Sequence, residues 1–426
     1  MVKYIFITYL VILLCGVFYR YTTIKSERLS LEKFIYLCFS FFYLVIPILY
    51  LYSFDSLKEN THNFWVLKTN LDFIAIFYAI CIYSVFVLGS FCGFYSGRRI
   101  GIEYNIYQSS HINIFFSFVV ALAILSSILT FLYAYKVGGI NVAIIEANSF
   151  RGHGEREPPI GQLAKFQPFI TTCALLLIAF RSRLRYIFVL IAMLYLLFEA
   201  SRTNIGMFFI IIYFYHLNIR GRFKLVGLIA PGCIAIFMAI LGNSISDYIF
   251  SGSWNFNEKA FYSFVSQFSP TFSNTLNVSY FIDEYGFGYL KDAVSIFPQS
   301  LFGIEKTVKT WQKLTEYYLG GFYTVGIPID IMSYSYSQFG FLGSFIMPFL
   351  YFAFFGFLSK KFDVIIQNST GKTYSVALMM ELICCAFVMS LIGWASIDST
   401  VFYGTIKYWV LLFVFLFIPK FRLYKK

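Results

Sequence analysis

Long apolar segments alternate with short polar ones along all 426 residues of the chain. A helix rises about 1.5 Å per residue, so about 20 residues cross the roughly 30 Å hydrocarbon core of a bilayer. Many of the apolar segments approach this length, although three in the middle of the chain are shorter. The pattern predicts about eleven membrane-spanning helices. They lie near residues 4–19, 34–52, 73–95, 113–135, 167–180, 186–199, 204–218, 225–242, 335–358, 374–393 and 402–419.

The composition agrees with this pattern. Hydrophobic residues make up 59% of the chain and charged residues only 13%. A soluble core does not require so much apolar sequence, and lipid is the more suitable solvent for it. We therefore expect an all-α polytopic membrane protein.

The charges predict how the chain is oriented in the membrane. The formal net charge is +12, and Lys and Arg concentrate in alternate short loops, as in loops that stay in the cytoplasm. This places the amino terminus outside and the carboxyl terminus inside. The basic balance is then explained by topology, and no nucleic-acid partner is expected. The basic loops are residues 20–33, 96–112, 181–185, 218–224, 359–373 and 420–426.

Two long loops fall on the predicted outer side, at residues 136–166 and 243–334. The second is much longer than a connection between neighbouring helices needs to be. The chain is therefore expected to divide into residues 1–242 with eight spans and the first loop, an external loop domain at 243–334, and residues 335–426 with three spans.

The first external loop carries a cluster of charges. Arg151, His153, Glu155 and Arg156 lie within six residues. Arginine can hold a diphosphate through two parallel hydrogen bonds, and a carboxylate or histidine nearby could accept a proton from an attacking hydroxyl. The alternative is a solvated loop without a ligand.

A short charged turn separates two apolar segments between Glu199 and Asn204. Arg202 lies in this turn at a predicted outer edge of the membrane, where an arginine is costly unless it faces a polar cavity or lipid headgroups. Glu199 is a possible ligand contact beside it. The alternative is that Arg202 extends to the interface without any specific ligand.

The second external loop alternates apolar, glycine and polar stretches, and we expect it to fold on the membrane surface. It ends in a glycine-containing segment with Tyr323 and Asp330, followed by a predicted helix entry near Ser337–Gly343, where the glycines permit close backbone approach. Its aromatic side chains could stack on sugars or anchor the loop at the interface. They include Trp254, Tyr262, Tyr280 and Trp311.

Several nucleotide and metal motifs are absent from the sequence. It contains no phosphate-binding Gly-x-x-x-x-Gly-Lys-Ser/Thr loop, no Asp-x-Asp pair, and no His/Cys cluster with the spacing of metal ligands. We therefore expect no cofactor and no metal.

Taken together, these features resemble the O-antigen and oligosaccharide repeat-unit polymerase family of bacterial surface polysaccharide synthesis. The Ser201-Arg202 turn resembles the arginine turn of that family, and Tyr323–Gly343 resembles its late segment, which enters a helix through aromatic-Gly-x-x-Gly. Where this segment often has Pro or Glu, the present chain has Gly326-Ile-Pro328, which leaves Asp330 as its only carboxylate.

The resemblance implies a glycosyltransferase-C-like fold in the inner membrane and a substrate of undecaprenyl-diphosphate-linked oligosaccharide. Arg151 and Arg202 would hold the diphosphate without a metal, and His153 or Glu155 would deprotonate the acceptor hydroxyl. Arg156, Glu199, Tyr323 and Asp330 would contact substrate. Membrane lipid and a chain-length regulator protein are the implied partners.

Three other functions are compatible with the sequence. A flippase or other transporter is suggested by Glu381 and Lys407 inside the last two spans, since charges within the membrane often mark a transport path. An O-antigen ligase would share the donor and the fold. A membrane scaffold without activity is the third.

Overall fold

The computed structural model describes residues 2–24, 28–60, 64–69, 71–100, 109–145, 159–199, 202–221, 259–296, 308–321, 327–393 and 395–417. Within these residues the chain is almost entirely helical, with 3₁₀ turns at Gly161–Phe166 and Lys291–Ile296 and no strand. The all-α class predicted from the sequence is confirmed.

We number the described helices in chain order. They are α1 (Val2–Thr23), α2 (Leu31–Tyr52), α3 (Phe54–Asn60), α4 (Phe64–Leu67), α5 (Phe73–Arg99), α6 (Ser109–Val137), α7 (Ile140–Ile145), α8 (Phe169–Ala179), α9 (Arg185–Glu199), α10 (Arg202–Ile219), α11 (Lys259–Phe268), α12 (Pro270–Tyr285), α13 (Thr310–Leu319), α14 (Ile331–Gln367), α15 (Gly371–Gly393) and α16 (Ser399–Phe417).

Six of these helices are long and apolar enough to cross a membrane: α1, α2, α5, α6, α14 and α15. Each coincides with a predicted span. The shorter helices α8, α9, α10 and α16 coincide with four further predicted spans, whereas the span predicted at 225–242 lies outside the described residues. Large apolar side chains such as Ile12, Ile128 and Leu350 are more than half exposed. Such a surface suits lipid, and the protein is membrane-embedded.

Helix α2 contains a wider turn that accommodates a proline. Residues Ser40–Val45 form a π-helical segment, and Pro47 follows it. Proline has no N–H to donate and its ring disturbs the preceding turn of an α-helix. A local π turn relieves this conflict without ending the helix.

The chain forms two compact units, and neither is continuous in sequence. The first contains the described residues of Met1–Arg98, Phe223–Gly356 and Val388–Asp398. The second contains those of Arg99–Arg222, Phe357–Phe387 and Ser399–Lys426.

The core of the first unit is formed around α12, a helix from the predicted external loop. Residues Pro270 to Val278 of this helix are buried. The Phe272 ring lies 5.7 Å from Phe6 of α1 and 5.4 Å from Tyr50 of α2, between ring centroids. Aromatic packing therefore fixes this part of the loop against two apolar helices.

Glycines let α5 and α14 approach each other closely in the first unit. A Cβ on Gly93 would lie 2.2 Å from the carbonyl oxygen of Phe349, and one on Gly356 would lie 2.1 Å from that of Phe94. No side chain fits in this space. Small residues spaced along a helix are a common way for apolar helices to pack backbone against backbone.

Helix α14 begins at Ile331 and is broken at Phe339 and Gly340. Gly340 has φ 61° and ψ −142°, a conformation that is essentially restricted to glycine. The break frees the carbonyl of Ser337, which accepts a hydrogen bond from the Gly288 N–H at 2.9 Å. The glycine-containing segment predicted as a helix entry thus contains an interruption of the helix, supported by the chain that follows α12.

The second unit is built around α8, whose residues are nearly all buried. Helices α6 and α9 pack on it, and α10 and α16 also contact it. A ring contact joins α15 to α16, since the centroids of the Phe387 and Trp409 rings are 4.9 Å apart. A short helix that is apolar all round is expected in such a central position.

Candidate functional site

The first unit contains a cleft of about 480 Å³ between α12 and α13. Its volume is within the range of small-molecule sites. We call it the acidic cleft. It is lined by Lys68, Glu284, Tyr285, Glu316, Tyr317 and Gly320.

Two helix carboxyl termini meet at the acidic cleft. Gly286 follows α12 with φ 69°, and Gly320 follows α13 with φ 72°, and glycine accepts a positive φ without strain. Glu284 and Glu316 lie in the last turns of these helices. A carboxylate at the negative end of a helix dipole costs free energy. Two such residues in one cleft suggest a binding role instead of a role in stability.

The tyrosines of the cleft hold their protons. Burial, together with the neighbouring carboxylates Glu284 and Glu316, raises the pKa of Tyr285 to about 12. Burial and the charge of Glu284 also raise the pKa of Tyr317. Both hydroxyls therefore keep their protons near neutral pH, and the Tyr285 hydroxyl donates to the neighbouring carboxylates.

Lys68 connects the segment before α5 to the end of α13 in the acidic cleft. Its ammonium donates a hydrogen bond to the Tyr317 carbonyl oxygen and lies 5.4 Å from the centroid of the Tyr317 ring. A carbonyl at the end of a helix is a favourable partner for a cation. Lys68 thereby stabilises the end of α13.

A second contact links α12 to the start of α5. The Tyr280 hydroxyl donates to Oδ2 of Asp72, and this hydrogen bond is the main cause that raises the pKa of Tyr280 to about 12. Oδ1 of Asp72 accepts the Ala75 N–H at 2.7 Å, as a capping carboxylate does at the amino terminus of a helix.

A layer of hydrogen-bonded side chains lies below the cleft. The Asn277 amide donates to the Tyr318 hydroxyl at 3.1 Å and to Oγ1 of Thr69 at 3.3 Å. Ser273 donates to the Tyr50 hydroxyl at 3.2 Å. All of these residues are buried, so their hydrogen bonds hold the helices in one arrangement.

The start of α13 is held by a buried carboxylate. Both oxygens of Asp292 accept the Thr310 N–H, at 3.1 and 3.0 Å. Burial raises the pKa of Asp292. Because this interaction satisfies a donor at the amino terminus of the helix, it positions α13 and hence Glu316.

Asp330 lies in the same unit and is fully buried. Its Oδ2 accepts the Met332 and Ser333 N–H groups at 3.0 and 3.3 Å, and the Tyr43 hydroxyl at 3.3 Å. Among the described residues Oδ1 has no hydrogen-bond partner. Burial raises the pKa of Asp330 to about 6. Asp330 thus caps α14, is half-protonated near pH 6 and is mostly a carboxylate at pH 7.

The structure places two of the side chains predicted from the sequence. Asp330 is a buried residue of the first unit, and Glu199 belongs to the second unit, where its Oε1 accepts the Asn204 amide at 2.8 Å. Arg202 is the first residue of α10, but its side chain is not described. Arg151, His153, Glu155, Arg156 and Tyr323 lie outside the described residues.

The residues that line the acidic cleft were not predicted from the sequence. Tyr280 and Trp311 of the same two helices were predicted, as aromatic side chains that could stack on sugars. Glu284 and Glu316 could have been recognised in the sequence, because each lies shortly before a glycine that ends a helix. Only the packing of α12 and α13 brings the two carboxylates into one cleft.

No family model, no curated protein and no solved structure matches this chain. Function is therefore inferred from its own residues.

Proposed function

We propose that this protein is a glycosyltransferase that joins oligosaccharide repeat units carried on undecaprenyl diphosphate at the outer face of the bacterial inner membrane. The acidic cleft is the main observation that supports the proposal. It combines tyrosine rings, protonated hydroxyls and two carboxylates, which are the groups that bind the faces and hydroxyls of sugars. Two helix carboxyl termini make it suitable for hydrogen-bond donors and unsuitable for a phosphate.

The cleft is proposed to bind the acceptor sugar. A carboxylate, Glu284 or Glu316, takes the proton of the acceptor hydroxyl while its oxygen attacks the anomeric carbon of the donor glycan. The bond between that carbon and the lipid diphosphate breaks, and the diphosphate leaves with the bonding electron pair. The proton then passes from the carboxylate to water or to the leaving diphosphate.

The residues predicted from the sequence keep their proposed roles in this reaction. Arg151 and Arg202 would bind the donor diphosphate and stabilise its charge as it leaves, so that no metal is needed. His153 and Glu155 are the other candidate bases. Arg156, Glu199, Tyr323 and Asp330 would contact substrate, and a chain-length regulator would act on the growing polymer.

The remaining features of the proposal concern architecture. We propose about eleven spans in a glycosyltransferase-C-like arrangement, with an external amino terminus and a cytoplasmic carboxyl terminus. With that orientation, the acidic cleft and the loop around Arg151 are on the same side of the membrane as the lipid-linked substrate.

Substitution of the cleft carboxylates tests the proposal. Glu284→Gln and Glu316→Gln keep the size of each side chain and remove its ability to accept a proton. We expect at least one of them to reduce polymer growth by about 10²- to 10⁴-fold, the usual contribution of a general base. The measurement is the length distribution of surface polysaccharide in a deletion strain complemented with each variant.

Glu59→Gln is the matched control, since Glu59 is exposed on α3. The control should give the wild-type distribution of lengths. A cleft variant that makes only single repeat units supports the polymerase, because export and ligation still work. Normal polysaccharide lengths in both Glu284→Gln and Glu316→Gln would show that the cleft carboxylates take no part in the reaction.

A transporter of lipid-linked oligosaccharide is the second candidate. The observation in its favour is the burial of two charged residues in the second unit, Glu381 at 0% and Lys407 at 9% exposure. Deletion of the gene separates the candidates. Surface lipid with one repeat unit is expected without a polymerase, and surface lipid without any repeat is expected without a transporter or a ligase.

A further inference from the structure

Lys407 is a buried cation in the second unit. It lies in the middle of α16, and its side chain is 9% exposed. Among the described residues it forms no ion pair or hydrogen bond, and its ammonium lies 5.1 Å from the centroid of the Tyr408 ring. An ammonium group in apolar surroundings is costly unless an anion or polar groups compensate it. The position is thus suited to a negatively charged ligand.

A cavity adjoins Lys407. Its volume is about 30 Å³, which is room for about two water molecules. Thr171, Thr172 and Asn204 contribute polar side chains to the wall, and Leu175 and Phe208 contribute apolar ones. The two threonine hydroxyls donate to backbone carbonyls and the Asn204 amide donates to Glu199, so Lys407 is the main group for an anion. A tetrahedral anion could place two oxygens in this space while the rest of the ligand extends along the apolar wall.

Residues from the first turns of two helices line this cavity. Thr171 and Thr172 are the third and fourth residues of α8, and Asn204 is the third residue of α10. The amino terminus of a helix carries a partial positive charge that favours phosphate. In α8 the Ile170 and Thr171 N–H groups donate to the Gln167 and Pro168 carbonyls, so this terminus contributes its charge and not free N–H groups. The acidic cleft has the opposite arrangement, with two carboxyl termini and two carboxylates.

We infer that the cavity beside Lys407 is an anion site that binds the phosphate group of a phosphorylated lipid. The buried ammonium and the two helix termini provide the charge, and the apolar wall provides contact for a lipid chain. The further identification of this lipid as the glycan carrier rests on the proposed function. Arg202 is the first residue of α10, two positions before Asn204 of the cavity wall, so the site would bind the donor near the arginine predicted for that role.

Binding of farnesyl diphosphate to the purified protein in detergent tests this inference directly. We expect Lys407→Met, which removes the charge and keeps most of the volume, to weaken binding by about tenfold to a hundredfold, as for a hydrogen bond to a charged group. Lys372→Met is the matched control, since Lys372 is exposed at the start of α15 in the same unit. It should bind as the wild type does.

Two further probes distinguish the source of the phosphate. Inorganic diphosphate lacks the lipid chain, and phosphatidylglycerol has a lipid chain with a phosphodiester. Much tighter binding of farnesyl diphosphate than of both supports a site for a lipid with a terminal phosphate. Equal binding of inorganic diphosphate would overturn the lipid part of the inference, and equal binding of every probe by Lys407→Met and the wild type would overturn the site.

Thermal unfolding without ligand separates this role from a structural one. If Lys407 awaits an anion, its replacement by Met removes an uncompensated charge, and the unfolding temperature should stay the same or rise. A marked fall would show that Lys407 is needed for folding and would count against the inference. The proposed function is tested separately, and it fails if Glu284→Gln and Glu316→Gln both make polymer of normal length.

Discussion

Asp330 is fully buried and caps helix α14, and these two features favour opposite protonation states of its side chain. The backbone N–H groups of Met332 and Ser333 favour the carboxylate, whereas the loss of solvent favours the neutral acid. Burial is the larger effect and raises the pKa from 3.8 to about 6. A residue predicted from the sequence as a substrate contact is therefore expected to contribute to the pH dependence of stability in the first unit.

Asp330→Asn should change the pH dependence of stability. Because the pKa is raised on folding, the stabilisation from Asp330 is complete below about pH 4 and is lost as pH rises through about 6. Asparagine stays neutral, so the stability of the variant relative to the wild type should rise by up to about 3 kcal/mol as the pH increases from about 4 to about 7. Thermal unfolding at several pH values measures this.

The control for this measurement is Asp55→Asn, because the Asp55 side chain is 83% exposed. Its difference from the wild type should not vary over the same pH range. A constant difference for Asp330→Asn as well would assign the titration to another group.

At the scale of the helices, two features of the first unit are explained by backbone geometry at glycines. The break in α14 depends on Gly340, and the contact between α5 and α14 depends on glycines that leave no room for a side chain. Both features lie in apolar sequence, where a run of similar residues gives no indication of a break or a close contact.

Gly340→Ala should destabilise the first unit. A side chain at φ 61° and ψ −142° is strained by about 1–3 kcal/mol, and the chain either bears this cost or straightens α14 at the break. We expect a lower unfolding temperature and weaker protection from proteolysis near Gly288, whose N–H bonds to Ser337. Gly206→Ala is a control in a helix with open space around the glycine, and it should not be destabilised.

Gly93→Ala tests the contact between α5 and α14. The added methyl group would lie 2.2 Å from a backbone oxygen, so the helices must separate. We expect a loss of about 1–3 kcal/mol, typical of overpacking. Gly16→Ala in α1 has nothing within 4 Å and should be neutral or slightly stabilising, because alanine is the better helix former. Equal stability of the two variants would contradict the close packing.

At the scale of the whole molecule, the apolar exterior and the six long apolar helices make this a membrane protein, and the charges of its loops predict its orientation. The proposed function requires the acidic cleft to face outward. Lys68 lies in that cleft, and Lys372 lies in a predicted cytoplasmic loop. Both are exposed and can be replaced by cysteine.

Labelling of whole cells with a membrane-impermeant maleimide tests the orientation. Lys68→Cys should react before the cells are opened, and Lys372→Cys only afterwards. The parent protein gives the background from its own cysteines. The reverse order would place the cleft in the cytoplasm, away from lipid-linked repeat units on the outer face, and would exclude the proposed reaction.

The sequence by itself determined the helical class and the membrane environment, because about 20 consecutive apolar residues can satisfy their backbone hydrogen bonds in lipid only as a helix. Asp330 was predicted from the sequence as a substrate contact because it is the only carboxylate in the segment Tyr323–Gly343, and the structure shows it as a buried cap of α14. The sequence did not place α12 in the core, since the polar residues of that helix resemble those of a surface loop until their partners are known.

Tertiary structure alone decided which helix ends meet. The sequence contains Glu284 and Glu316 as two separate carboxylates, 32 positions apart by number, and only the packing of α12 against α13 makes them one cleft. Likewise, Lys407 is a lone charge in an apolar segment until the first turns of α8 and α10 are seen beside it. Helix dipoles and burial act over a few ångströms, so their effect depends on which elements are neighbours in space, and local sequence does not specify this.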